Sequence, residues 1–131
     1  MTYTIKIDSL LPTLNEYVDV CRENKFAANT LKQNTQKLIC YYIIKSLGAD
    51  RPNLDCLVHI RFLWREPSRR RDKDNVAFAK KFILDALVTY GVLSDDGWKV
   101  VDGFRDDFVV DSNDPGVTVV IEEKEIENVS N

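Results

Sequence analysis

The segment Arg69-Arg70-Arg71-Asp72-Lys73-Asp74-Asn75 sets three arginines ahead of two carboxylates that flank a lysine. In extended backbone, residues two apart point to the same side, so Asp72 and Asp74 could share one hard divalent cation through oxygen ligands, and Mg²⁺ suits such a site, with Mn²⁺ as a substitute. Arg69, Arg70 and Arg71 are then the first choice for phosphate contacts, with Arg22 and Lys25 earlier in the chain as a second group. The plainer reading makes Asp74 the cap of the helix that follows, Asp72 a solvated loop residue and the arginines a solvated basic turn.

At about 100° per residue, a helix beginning at Asn75 gathers Asp74, Phe78, Lys81 and Asp85 into one stripe. Lys81 therefore shares the Asp74 side, where a lysine could bind a phosphate or stabilise charge that develops on it. Lys80 points elsewhere and is grouped with the arginines as a candidate phosphate contact. The competing account of Lys81 is a solvated i,i+4 pair with Asp85, worth a few tenths of a kcal/mol. A third acidic group, Asp95-Asp96-Gly97, follows the helix. Asp-Gly is turn chemistry in its own right. About sixteen residues of helix span roughly 24 Å, so helix geometry alone does not bring Asp96 to Asp72. The tertiary fold or a second subunit has to close that gap.

The elements that must position these side chains follow from periodicity. Tyr3 to Ile7 alternates as a strand, and Pro12 to Asn24 reads as a loop. Ala27 to Leu47 repeats apolar residues at three- and four-residue spacing and stops at Gly48, which predicts a helix. Leu57 to Trp64 alternates as a strand whose Val58, Ile60, Phe62 and Trp64 face is apolar. Asn75 to Tyr90 is helical and ends at Gly91. Trp98 to Val110 and Val117 to Glu122 predict two further strands joined by the Asp111 to Gly116 loop. The order β-α-β-α-β-β implies an α+β domain with two helices packed on one face of a mixed or antiparallel sheet, spanning residues 1–122. The acidic stretch 123–131 is expected to be a frayed tail.

A chain of 131 residues can bury a core without disulfides or a structural metal. Cys21, Cys40 and Cys56 are odd in number and widely spaced, which fits a reducing cytoplasm and suggests neither a disulfide framework nor a zinc site. The net charge of −3 conceals a split, with +5 from Met1 to Arg71 and −8 from Asp72 to Asn131. Such a division is compatible with a basic surface for phosphates beside an acidic cluster for a cation. His59 is the only histidine, and a single one cannot build a site that needs several, so it is assigned to structure. Trp64 and Trp98, near predicted strand ends, are expected in the core or at a dimer contact. No role is assigned to Asp102, Asp106, Asp107, Asp111 or Asp114.

The string Arg70-Arg71-Asp72-Lys73-Asp74-Asn75, then Lys81, Asp85-Ala86-Leu87, Gly91 and Asp95-Asp96 resembles the signature of the RusA family of Holliday junction resolvases. Pro12-Thr13-Leu14-Asn15-Glu16-Tyr17 is more weakly similar to that family's N-terminal motif. Between Asn75 and Asp85 the chain carries about three residues more than the family pattern, and its acidic pI departs from the basic character of junction binders. The resemblance implies a RusA-like fold and a homodimer that nicks opposing strands of a four-way DNA junction with Mg²⁺, in DNA recombination and repair, often in a phage or prophage. It places the metal-binding residues at Asp72, Asp74 and Asp96 and the catalytic lysine at Lys81, with Lys80 as the competing position that only the helical face shared with Asp74 sets aside. Water activated at the cation would then attack the phosphodiester in line, with no protein nucleophile. Two other readings stand beside this one: a nuclease for other branched DNA, and a non-catalytic DNA-binding or assembly protein whose aspartates are caps and turns.

Overall fold

The structure is a computed structural model and describes residues 1–49 and 51–124. It is an α+β fold with the order β1 (Thr2–Ile7), α1 (Leu14–Glu23), α2 (Lys25–Leu47), β2 (Val58–Glu66), α3 (Lys73–Ala77), α4 (Lys80–Thr89), β3 (Val101–Val110) and β4 (Gly116–Glu123). The strands form one mixed sheet in the order β1-β4-β2-β3. β4 runs antiparallel to both β1 and β2, whereas β3 runs parallel to β2 at the outer edge.

Strand register explains why one face is apolar. Ile5, Val119, Phe62 and Asp106 form one row across the sheet, and Ile7, Val117, Trp64 and Phe108 form the next. The first three members of each row are buried. Ile39 and Ile43 of α2 and Phe82, Ile83, Ala86 and Leu87 of α4 join them in one core. Each large apolar side chain so buried contributes roughly 1.5–3 kcal/mol over leaving it exposed. The opposite face shows Thr4, Val120, Arg61 and Arg105 in one row and Lys6, Thr118, Leu63 and Asp107 in another, and no residue of either row is fully buried. The helices therefore lie against one face, as the alternation in β2 implies.

Three local expectations are corrected. Pro12 to Asn24 contains a helix: Thr13 Oγ1 accepts the Glu16 N–H at 3.3 Å, and Asn24 ends α1 while its Oδ1 accepts from Phe26 N at 2.8 Å to start α2. Leu14, Tyr17, Val18 and Cys21 carry helical spacing, but α1 buries no residue fully and its apolar signal is thin. The helix expected over Asn75 to Tyr90 is two helices. Ala79 N donates to Val76 O and Lys81 N to Phe78 O, three-residue bonds that tighten the turn between α3 and α4. β3 begins at Val101 rather than Trp98, because Val100 N and Val101 N both donate to Gly97 O and close a turn first. The stops at Gly48 (φ 78°) and Gly91 (φ 77°) are as expected. Of the stretch read as a tail, Glu123 belongs to β4, and residues 125–131 lie outside the described residues.

Candidate metal and nucleic-acid site

Where β2 ends and α3 begins, an open cavity of about 1050 Å³ is lined by Glu66, Arg69, Arg71, Asp72, Lys73 and Asp74 on one side and by Phe108 to Val110 of β3 on the other. Asp72 is extended (φ −66°, ψ 149°) and stands at the N-cap of α3 without capping it through its side chain. Asp74 lies in the first turn, and its Oδ1 accepts the Asn75 N–H at 2.9 Å. The pair is thus presented by a helix start rather than by the extended backbone considered above. Both carboxylates are exposed and enter the same cavity. Oxygen donors at a helix start, with the axial dipole favouring negative charge there, form a hard-ligand set.

Glu66 is the carboxylate that sequence reasoning missed. It is 7% exposed and shares the face of Phe62 and Trp64, so an acid continuing an inward-facing alternation was the available signal. Arg71 forks onto it, with Nε to Oε1 at 2.8 Å and an Nη to Oε2 at 2.9 Å, and also reaches Glu16 Oε1 at 3.4 Å. The hydrogen bond to Glu66 leads in holding the Arg71 guanidinium above its ordinary pKa, partly offset by burial. Arg71, expected to contact phosphate, lines the cavity with its guanidinium held by the Glu66 and Glu16 carboxylates. Lys73, whose ammonium lies 5.6 Å from the Phe108 ring centre, is a further cation that the sequence reading did not single out. Arg69 and Arg70 are exposed, and Arg69 lines the cavity.

The N-terminal motif arrives at the same place. Asn15 N donates to Asn75 Oδ1 at 2.9 Å, and the Tyr17 ring packs 5.6 Å from Phe78 and 5.7 Å from Phe82. Arg22 and Lys25 stand exposed around the α1–α2 corner and do not line the cavity.

The third aspartate and the lysine lie elsewhere. Lys81 pairs with Asp85 at 3.0 Å, the i,i+4 contact considered above. That hydrogen bond leads in raising its pKa, burial opposes this, and the charge of Asp96 adds a smaller push upward. Neither Lys81 nor Asp96 lines the Asp72–Asp74 cavity. Among the described residues, no group of three or more His, Cys, Asp and Glu side chains could hold a metal ion. Lys80 bonds Asp106 Oδ2 at 2.6 Å with its ammonium over the Phe62 and Phe104 rings, so it too is occupied.

No protein-family model matches the chain, and no curated protein matches it. The chemistry of the cavity therefore rests on its own residues.

Other side chains sort plainly. His59 is half-buried on the open sheet face beside Gly103. The three cysteines are free. Trp64 is buried and donates to Asp106 Oδ1 at 2.9 Å, as expected of a core residue. Trp98 is 97% exposed within the turn before β3, which excludes the core as one of its two expected places. Among the described residues, no helix is long and apolar enough to cross a membrane.

Proposed function

We propose that the chain is a Mg²⁺-dependent endodeoxyribonuclease that cuts branched DNA, with the four-way junction as its substrate and a homodimer as its working form. The observation that carries this reading is the entry of Asp72 and Asp74 into one open cavity flanked by Arg69 and Lys73. Mg²⁺ binds through one or two carboxylates together with substrate phosphate and water, so two aspartates in a chain fit the ion. When bound there, the ion would lower the pKa of a water and neutralise charge on the phosphodiester. Asp72 and Asp74 hold the ion, while Arg69 and Lys73 orient the phosphate and keep the strand in register. Glu66 and Arg71 fix the cavity floor beneath them. The resemblance adds Asp96 as a third carboxylate and Lys81 as a cation that would stabilise charge on the phosphate, although neither lines the Asp72–Asp74 cavity within one chain.

The test is nicking of synthetic four-way, three-way, flap and linear DNA in Mg²⁺ and Mn²⁺. Asp74→Asn is expected to abolish nicking while leaving junction binding largely intact. If the unmodified protein binds junctions and cuts none in either ion, it is a DNA-binding or assembly protein instead.

A further inference from the structure

We propose that the first half of α2 is a second nucleic-acid contact, in which a stripe of Lys25, Asn29, Lys32 and Gln36 grips the phosphate backbone of a duplex arm beyond the cavity end of the sheet. The contact rests on the DNA reading above, and it requires DNA to be bound rather than cut.

No Asp or Glu occurs from Asn24 to Ala49, although the chain as a whole carries a net charge of −3. Helix lysines are commonly stabilised by an acid one turn away, as Lys81 is by Asp85 at 3.0 Å. Within α2 that partner does not exist. Among the described residues, none of Lys25, Lys32 and Lys37 reaches a carboxylate, while Lys6, Lys80, Lys81 and Lys124 each do. Lys25 also stands in the first turn of α2, which contains no acid. A helix start carries partial positive charge and favours acids, so a lysine there weakens the helix and adds to its attraction for an anion.

The fold decides what these lysines face. α2 runs antiparallel to β1: Ser46 Oγ accepts the Lys6 N–H at 3.1 Å, and one turn earlier the Tyr42 hydroxyl donates to Asp8 O at 3.3 Å. β1 and β2 both run antiparallel to β4, so β1 finishes at the same end of the sheet as β2, where the cavity opens. The helix ahead of Tyr42 therefore continues past that end. Its fully buried residues are Thr35, Ile39 and Ile43. Lys25 to Asn34 contains none, so about 15 Å of helix stands outside the core.

At about 100° per residue, Lys25, Asn29, Lys32 and Gln36 fall within a stripe roughly 60° wide, and Ile39 and Ile43 lie along the same line. The face that enters the core in the second half of α2 is thus, in the first half, a row of hydrogen-bond donors turned the same way. Lys25, Asn29 and Lys32 are exposed and Gln36 is half-buried. Phe26, Tyr41 and Ile44, the exposed large apolar residues of this helix, lie about 90° or more around it, so the stripe itself is polar.

Lysine ammonium and side-chain amide groups are what commonly meet phosphate and sugar in duplex contacts, where they fix position without reading sequence. From Lys25 to Gln36 the stripe runs about 16 Å, the rise of about five base pairs. It is also fixed relative to the cavity. α1, which leads into α2 at Asn24, is tied to α3 by the Asn15–Asn75 bond at 2.9 Å and to Arg71 through Glu16 at 3.4 Å. A duplex arm held by α2 is thereby placed with respect to Asp72 and Asp74.

Salt titration of DNA binding in EDTA tests the contact without metal or cutting. Fluorescence anisotropy of a labelled four-way junction and of a plain duplex gives the slope of log affinity against log salt. Each phosphate contact contributes about 0.9 to that slope, so Lys25→Gln with Lys32→Gln should flatten it by about 2 on both DNAs. Lys25→Arg with Lys32→Arg keeps the charges and should keep the slope. Lys45→Gln with Lys124→Gln removes two charges elsewhere and should leave it unchanged. Hydroxyl-radical footprints should lose about five base pairs of protection in the first double variant alone.

An unchanged slope in that variant, with native circular dichroism, would overturn the contact and leave the stripe to a protein partner. An equal loss in the Lys45 and Lys124 control would overturn it too, since net charge alone would then be acting. If the slope flattens as expected but the unmodified protein cuts no junction in Mg²⁺ or Mn²⁺, the contact stands and the nuclease reading falls. Cutting by the unmodified protein without the change of slope gives the reverse. Unmodified protein that binds neither DNA removes both.

Discussion

Asn15, at the start of α1, donates its backbone N–H to Asn75 Oδ1 in α3 at 2.9 Å across sixty residues of chain. This bond ties the N-terminal motif to the segment that presents Asp72 and Asp74. Glu16 bonds Arg71 one residue further along. The two parts of the sequence that carry the resemblance to junction resolvases are therefore one structural unit.

Replacing Asn75 by Ala leaves the Asn15 N–H without its partner and is expected to lower stability by about 1 kcal/mol. Asn75→Asp keeps the acceptor and should retain most of it. Urea unfolding of the two variants checks the difference. Equal losses would mean that the side-chain oxygen is not what matters.

Arg71 and its neighbour Arg70 should behave differently although both are arginines of one run. Arg71→Ala strands the buried Glu66 carboxylate and is expected to cost about 2–3 kcal/mol. Arg70 is exposed, and Arg70→Ala should stay within about 0.5 kcal/mol of the unmodified protein. Chemical denaturation measures both, and a similar small effect at the two positions would deny Arg71 its place in the cavity floor.

At Gly116 the backbone has φ +150°, and an added Cβ would sit 2.0 Å from Ile7 O and 2.8 Å from an Arg65 Nη. That same Arg65 nitrogen donates to Ile7 O at 3.1 Å, so the side chain that would have to move is itself holding β1 to β2. Gly116→Ala is expected to destabilise by about 2 kcal/mol or more, from steric clash and backbone strain together. A melting temperature within a degree of the unmodified protein would contradict this.

Acid stability has an identifiable contributor in Asp114, whose carboxylate lies 2.9 Å from Lys6 Nζ. The hydrogen bond from Lys6 holds its pKa below the ordinary value, burial opposes this, and the Arg65 charge assists it. A depressed folded-state pKa means that the group stabilises the fold above the unfolded carboxylate value of about 4, and that this contribution is lost as pH falls through the lower folded value. Asp114→Asn should therefore melt below the unmodified protein at pH 6, with the gap closing only below about pH 4. Calorimetry across that range gives the answer, and a gap independent of pH would exclude the ionised carboxylate as its source.

Much was written locally. The apolar alternation in β2, the spacing in α2 and the stops at Gly48 and Gly91 are short-range patterns, so periodicity was enough to read them. The α+β class followed from their order. The carboxylates at Asp72 and Asp74 are two residues apart, and no fold was needed to make them neighbours. The α1 helix escaped because a helix that buries no residue fully carries little apolar signal, and the break at Phe78–Ala79 escaped because three-residue bonding there preserves the apolar spacing. Glu66 beneath Arg71, Lys80 on Asp106 and the bond between Asn15 and Asn75 were beyond any local pattern, since each joins side chains that only the packing of strands and helices brings together. The place of Asp96 was decided the same way: β3 runs parallel to β2, and strand direction, which residue types do not encode, puts its turn at the opposite end of the sheet from the cavity.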